Sequence, residues 1–206
     1  MRQYSDYVSG CLIPLKNRGN GRAKVLSVTE VRRLLTALED DPRDAALFAI
    51  CFFTACRISE ALHLETSDIV EVNINDVPKQ IITFRRQHTK GKLKTRTIPA
   101  HPALEVYLEK YKPKKAGALF PGQLGRNKYL SRASAHRIFE AACQRAGIKG
   151  ASTHSCRRSA LSFMSANGIP LREIQEVSGH ADLGTLQRYL EVSTEQVIKA
   201  VNAIWL

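Results

Sequence analysis

The chain contains no apolar run approaching 18 residues, and its opening, Met1-Arg2-Gln3-Tyr4-Ser5-Asp6, is not that of a signal peptide. Neither secretion nor membrane spanning is therefore expected. Cysteine is scarce: Cys11, Cys51, Cys56, Cys143 and Cys156 are odd in number, widely spaced and include no C-x-x-C. That argues against a disulfide framework and a structural zinc site, and for a reducing compartment, the cytoplasm or nucleoid. Cys51 and Cys56 fall in an apolar stretch and read as small buried hydrophobes. No carboxylates cluster in a D-x-D pattern, so two-metal nuclease chemistry is not indicated. No G-x-x-x-x-G-K-[ST] loop marks an ATP site. Acidic residues are also short. There are 19 against 31 Lys plus Arg, leaving a formal net charge of +12 over 206 residues. This excess points to a polyanion, with nucleic acid ahead of an anionic membrane surface.

What is present suffices for a folded core. With 44% apolar residues the chain can bury one domain of generous size, or a domain with a short appendage. Residues 1–26 are basic, contain glycine and lack clear periodicity, so they read as an arm or linker. The domain, residues 27–206, starts at Ser27-Val28-Thr29-Glu30, an S-x-x-E capping box. The helix behind it carries Val31, Leu34, Leu35 and Leu38 on one face. A second helix from about Arg43 runs through Ala45 to Phe53 and is apolar nearly all round, which predicts a central, fully buried helix. From Ile69 the period becomes two. Segments 69–74, 80–84 and 95–99 predict three short antiparallel strands, and the last turn, His88 to Lys94, is strongly basic. Helical patterns return over 102–111 and 131–146. They then run almost continuously from His154, broken at Asn167-Gly168-Ile169-Pro170 and at Ser178-Gly179-His180. The expected fold class is α+β, mainly α, with a small three-stranded antiparallel sheet.

Cationic and imidazole residues stand at the element boundaries. Arg57 follows the buried helix, and there it must reach water, a carboxylate or a ligand, since burying it unpaired is costly. His154 and Arg157 sit at i, i+3 at a helix start, share a face and can converge on one phosphate, where the helix N-terminus itself favours anions. His180 follows Gly179 at a break, and Tyr189 lies nine residues further on. Phosphodiester chemistry without a metal needs a nucleophile, cations shaped to the phosphate and a proton donor for the leaving oxygen.

This constellation resembles the tyrosine recombinase, or phage integrase, family over roughly Ser27 to Ser193. Thr54-Ala55-Cys56-Arg57-Ile58-Ser59-Glu60-Ala61-Leu62 is similar to the family's first box, usually T-G-L-R-I-S-E-L. Thr89-Lys90-Gly91-Lys92-Leu93-Lys94-Thr95-Arg96-Thr97-Ile98-Pro99 resembles its basic β-hairpin. His154-x-x-Arg157, Gly179-His180 and Tyr189 resemble its second box. The resemblance implies a helical catalytic domain and a site-specific DNA recombinase or integrase that needs neither metal nor ATP. Tyr189 would attack the scissile phosphate, giving a 3′-phosphotyrosyl enzyme and a free 5′-hydroxyl. Arg57 and Arg157 would clamp the non-bridging oxygens, His180 would hydrogen-bond the phosphate and His154 would accept the tyrosine proton. Lys90 would protonate the leaving oxygen, with Lys92 and Lys94 as rivals in the same turn. Glu60 would support Arg57 or His154. Double-stranded DNA would be held by Arg85, Arg86, Lys92, Lys94, Arg96 and Arg158.

The family's usual N-terminal DNA-clamping domain has no counterpart in residues 1–26, which leaves a short form or a fragment open. Ala55 and Cys56 in place of Gly-Leu read as packing variation, while Ser178 in place of a frequent Leu is expected to loosen the local helix. The amphipathic C-terminal segment is expected to pack in trans within a DNA-bound tetramer, with packing on its own core as the alternative. Other readings of the whole are a non-catalytic or partner-dependent DNA-binding protein and type IB topoisomerase-like relaxation. Integration, excision, inversion and dimer resolution all stay open, as does the DNA site.

Overall fold

The structure, a computed structural model, describes residues 23–88, 95–113, 116–122, 129–190, 192 and 194–204. Ser27 and Glu30 form the expected capping box: the Glu30 amide donates to Ser27 Oγ at 3.2 Å, and the Ser27 amide donates to Glu30 Oε2 at 3.0 Å. Helix α1, Val28–Thr36, buries Val31, Leu34 and Leu35. The last residues of the expected arm join the domain. Leu26 is fully buried, its amide donates to Ser159 Oγ at 2.7 Å, and Ala23 O accepts from Arg158.

Helix α2, Pro42–Phe53, starts at Asp41, whose carboxylate accepts the amides of Arg43 and Asp44, with proline in the first turn. Every residue from Asp44 to Cys51 is buried, as the all-round apolar pattern requires. Phe48 packs against Phe139 with ring centroids 5.1 Å apart, so truncating either to alanine should cost about 3–5 kcal/mol. The helix ends at Thr54, and Ala55 then adopts the left-handed region at φ +49°. A side chain there is strained by about 1–2 kcal/mol. The glycine usual at this place in the family would avoid that strain, so the substitution bears on the backbone as well as on packing. Arg57 does not extend the buried helix. It is the N-cap residue of a separate short helix, α3, Ile58–Leu62.

The sheet has the order β1-β2-β3, with β1 at Ile69–Ile74, β2 at Val77–Phe84 and β3 at Arg96–Pro99. Both pairings are antiparallel, with Ile69 opposite Ile82 and Ile98 also opposite Ile82. β3 alternates, with Arg96 and Ile98 buried and Thr97 and Pro99 exposed. Helices α4, Pro102–Lys110, and α5, Arg132–Arg145, follow. Then come α6, Thr153–Ala166, α7, Leu171–Ser178, α8, Leu183–Gln187, and α9, Thr194–Asn202. The breaks at 167–170 and 178–180 fall where expected. A further break after Gln187 was not expected, and Tyr189 lies in it. α2 packs against α3, α4 and α6, and α7 packs against α6, α8 and β3. These packings bring the first box, β3 and the second box to one place. Among the described residues, no helix is long and apolar enough to cross a membrane.

Candidate active site

The site is organised around one carboxylate. Glu60 is 2% exposed, and three guanidinium groups act on it. Its Oε1 accepts from Arg57 Nη1 at 2.9 Å, while Oε2 accepts from the Arg57 amide at 2.8 Å and from Arg96 Nη2 at 3.2 Å. Burial raises its pKa, but Arg96, the Arg57 amide, Arg157 and Arg57 outweigh that and leave it below the ordinary value of 4.5. Glu60 is therefore ionised at neutral pH, and it fixes Arg57 at both backbone and side chain.

Arg157 lies on the buried side of α6 and is 3% exposed. Its Nη1 donates to Ala55 O at 2.5 Å, and its Nη2 reaches His180 Nε2 at 3.0 Å. The strained turn at Ala55 thus presents a carbonyl to this arginine. Both acceptors are neutral, and Nε has no acceptor among the described residues. Burial, then the Arg57 charge, lowers the Arg157 pKa to about 10, so the cation persists but is poorly compensated.

His180 is held from two sides. Ser178 is fully buried, and its Oγ donates to Gln175 O at 3.3 Å and lies 2.7 Å from His180 Nδ1. That donor chain assigns the ring proton to Nδ1 and leaves the Nε2 lone pair to accept from Arg157. Burial, then Arg157, lowers the His180 pKa to about 3, so the ring is neutral. Gln175 Nε2 also donates to His180 O at 3.0 Å. The imidazole faces the Tyr189 ring, with centroids 5.1 Å apart. Tyr189 is half-buried on a small cluster of Ala55, Ala160, Leu161, Ile174 and Leu186. Its hydroxyl makes no hydrogen bond among the described residues. His154 is exposed in the first turn of α6, and desolvation, then Arg157, Arg132 and Arg57, lower its pKa from 6.5. At neutral pH it is a free base.

Residues 24–196 match the model of the phage integrase family. The chain belongs to that family. The tyrosine recombinase XerC of Bifidobacterium longum is 29% identical over 218 residues, which span 95% of this chain and 59% of that protein. The chain thus spans about three-fifths of this curated relative. Among solved structures, the catalytic domain of bacteriophage HP1 integrase is 27% identical with a TM-score of 0.62, covering 88% of this chain and 95% of that one. The XerH site-specific recombinase bound to palindromic difH substrate, a post-cleavage complex, has a TM-score of 0.72 at 24% identity. It covers 90% of this chain and 54% of that one.

Against the family's boxes, the structure brings Arg57, Glu60, Arg157, His180 and Tyr189 into one connected group, and sets His154 close enough for their charges to act on it. Lys90, Lys92 and Lys94 lie outside the described residues. His180, expected on the phosphate, spends its Nε2 on Arg157, because its only ring proton is directed at Ser178. Arg96 and Arg158, expected on DNA, are buried at 5% and 7% exposure. Arg96 stacks over Phe84 at 4.6 Å on the core face of β3, and Arg158 turns back to Ala23 O. Arg85 is tied to Asp68 at 2.6 Å and Glu65 at 3.2 Å, whereas Arg86 is exposed. Ser178, expected to loosen the helix, instead anchors His180. Ser178 was not among the expected site residues, and Arg96 was expected on DNA and not beside Glu60 and Ser178 O. Parity within β3 carries the signal for Arg96, since it shares a face with Ile98.

Proposed function

We propose that the chain is the catalytic part of a site-specific DNA recombinase that cleaves and rejoins strands through a 3′-phosphotyrosine. The observation that carries this reading is the charge count at Glu60. Arg57, Arg96 and Arg157 share that single buried carboxylate, so the pocket is cationic where solvent cannot screen it. A phosphodiester entering beside Arg57 and Arg157 supplies the missing anion, and guanidinium forks suit its oxygens.

In the proposed step, the Tyr189 oxygen forms a bond to phosphorus as the bond from phosphorus to the 5′-oxygen breaks. The tyrosine proton passes to neutral His154, and the departing oxygen takes a proton from the β2–β3 turn, with Lys90 as the assigned donor. Arg57 and Arg157 hold the charge that develops on the non-bridging oxygens. His180 keeps Arg157 aimed. The ester retains the energy of the broken bond, so rejoining needs no external energy source. Arg86 and the turn lysines Lys92 and Lys94 hold the duplex through phosphate contacts. The working form is a tetramer on DNA, and α9 docks on a neighbouring protomer. In support, Val197, Ile198, Val201 and Ile204 are all more than half exposed. The setting is cytoplasmic, at the nucleoid.

The test is a pool of nicked duplexes with randomised centres, in which release of the short strand traps any covalent product. An SDS-stable protein–DNA adduct is expected from the wild-type chain and none from Tyr189→Phe. An adduct that survives Tyr189→Phe, or no adduct from the wild-type chain, would contradict the reading.

A further inference from the structure

We propose that Arg96, which lies in the stretch resembling the family's basic hairpin but outside its two boxes, is a positioning residue that couples β3 to both halves of the phosphate clamp. The inference rests on the recombinase reading. Arg96 does not face outward from the basic hairpin. It is 5% exposed on the core side of β3, and its guanidinium makes two hydrogen bonds that run in different directions. Nη2 donates to Glu60 Oε2 at 3.2 Å, and Nη1 donates to Ser178 O at 2.8 Å. Each acceptor leads to a different clamp arginine. Glu60 binds Arg57 through its amide and Nη1. Ser178 Oγ holds His180, and His180 Nε2 receives Arg157 Nη2. One side chain therefore sets the spacing between Arg57 at the N-cap of α3 and Arg157 on α6.

A purely stabilising role explains less. A buried ion pair contributes little net stability against an apolar residue of similar size, and Arg96 sits beside Ile98 on a face where an aliphatic side chain would pack. The backbone also makes room for the guanidinium. Gly179 has φ +66°, and a Cβ built there would lie 2.2 Å from Arg96 Nη1. The glycine that ends α7 is thus required twice, for its left-handed turn and for the approach of Arg96. Finally, Arg96 is the first residue of β3. The position of β3 is thereby tied to the clamp, and Arg96 touches no reacting atom itself.

The experiment uses the duplex enriched from the nicked pool. It compares the wild-type chain with Arg96→Met and Arg96→Lys. The single-turnover rate of adduct formation is read at saturating protein, and duplex Kd is read in a Tyr189→Phe background. Arg96→Met should slow adduct formation about 100-fold with Kd within threefold, the penalty of a misplaced clamp. Arg96→Lys keeps the charge against Glu60 but reaches one acceptor instead of two, and should lose about tenfold. A loss of rate without loss of affinity is what a merely structural residue would not produce. Wild-type rates in either variant, or a loss confined to Kd, would overturn the proposal. Should Arg96→Met fail to fold, Arg96→Lys decides by the same criterion. If the wild-type chain forms no adduct, the recombinase reading fails and this one falls with it. If only the variants behave as wild type, this one fails alone.

Discussion

The arginine pocket and the segment carrying Tyr189 are neighbours built to different standards. Around Glu60 side chains from distant parts of the chain meet, and all but Arg57 are nearly solvent-free: Arg57 at the N-cap of α3, Glu60 on α3, Arg96 on β3, Arg157 on α6 and His180 after α7. Tyr189 instead lies in a turn after the short α8 and leans on a minor apolar cluster. Beyond it, α9 keeps its apolar side chains exposed, with Gln196 Nε2 donating to Ser165 O at 2.9 Å. The proposed clamp is thus pre-formed in the core, while the proposed nucleophile stands on a half-exposed segment. Under the proposed function, such a division would let Tyr189 enter and leave without dismantling the phosphate site.

Four perturbations would break or sharpen this contrast. The largest effect belongs to Glu60→Gln, which strips the pocket of its one buried carboxylate among the described residues. Unfolding by denaturant should show a loss of about 3–5 kcal/mol, because several buried cations lose their counter-charge. The second is acidification. His180 titrates at about 3 in the folded chain, against its ordinary value of 6.5. Between those values the unfolded state binds the extra proton, so stability rises with pH. Its contribution is complete above about pH 6.5 and is lost as pH falls toward 3, by on the order of a few kcal/mol. Comparing unfolding of wild type and His180→Phe across that window should show a shallower slope in the variant.

Ser178→Ala comes third. It leaves the Nδ1–H of His180 without its buried acceptor and should cost about 1–2 kcal/mol in denaturant unfolding. The smallest effect belongs to the C-terminal region. Val197→Ser, Ile198→Ser and Val201→Ser together should move stability by less than about 0.5 kcal/mol, while lowering protomer cross-linking on DNA. Hydrogen exchange gives the same contrast directly: amides of α8 and α9 should exchange well before those of α2 and α6.

Much of this was legible from residue order. The Ser27–Glu30 box, the buried α2 and the three strands follow from capping chemistry and from periods of 3.6 and 2, which act locally. Arg57 was harder to place. The end of α2 depends on a left-handed turn at Ala55, and no glycine marks it. The break before Tyr189 escaped for a similar reason: neither proline nor glycine stands between Gln187 and Val192. For Arg96 the charge of the hairpin stretch points to DNA, whereas the parity of strand 95–99, which sets it on the face of Ile98, points inward. Ser178 is legible in the sequence only as a departure that should loosen the helix. A serine at a helix end has many partners open to it, and only packing placed this one on an imidazole.

The central claim is that Arg157 is kept for an incoming phosphate and not for the fold. Its protein acceptors are neutral, and Glu60 keeps Arg57 and Arg96 without it. Arg157→Met is therefore the most direct measurement. Denaturant unfolding of the free protein should change by less than about 1 kcal/mol or rise, since removing it leaves no buried carboxylate unpaired. Adduct formation on the enriched nicked duplex should fall at least about 1,000-fold. A loss of about 3 kcal/mol in stability, or an adduct rate near wild type, would contradict the account.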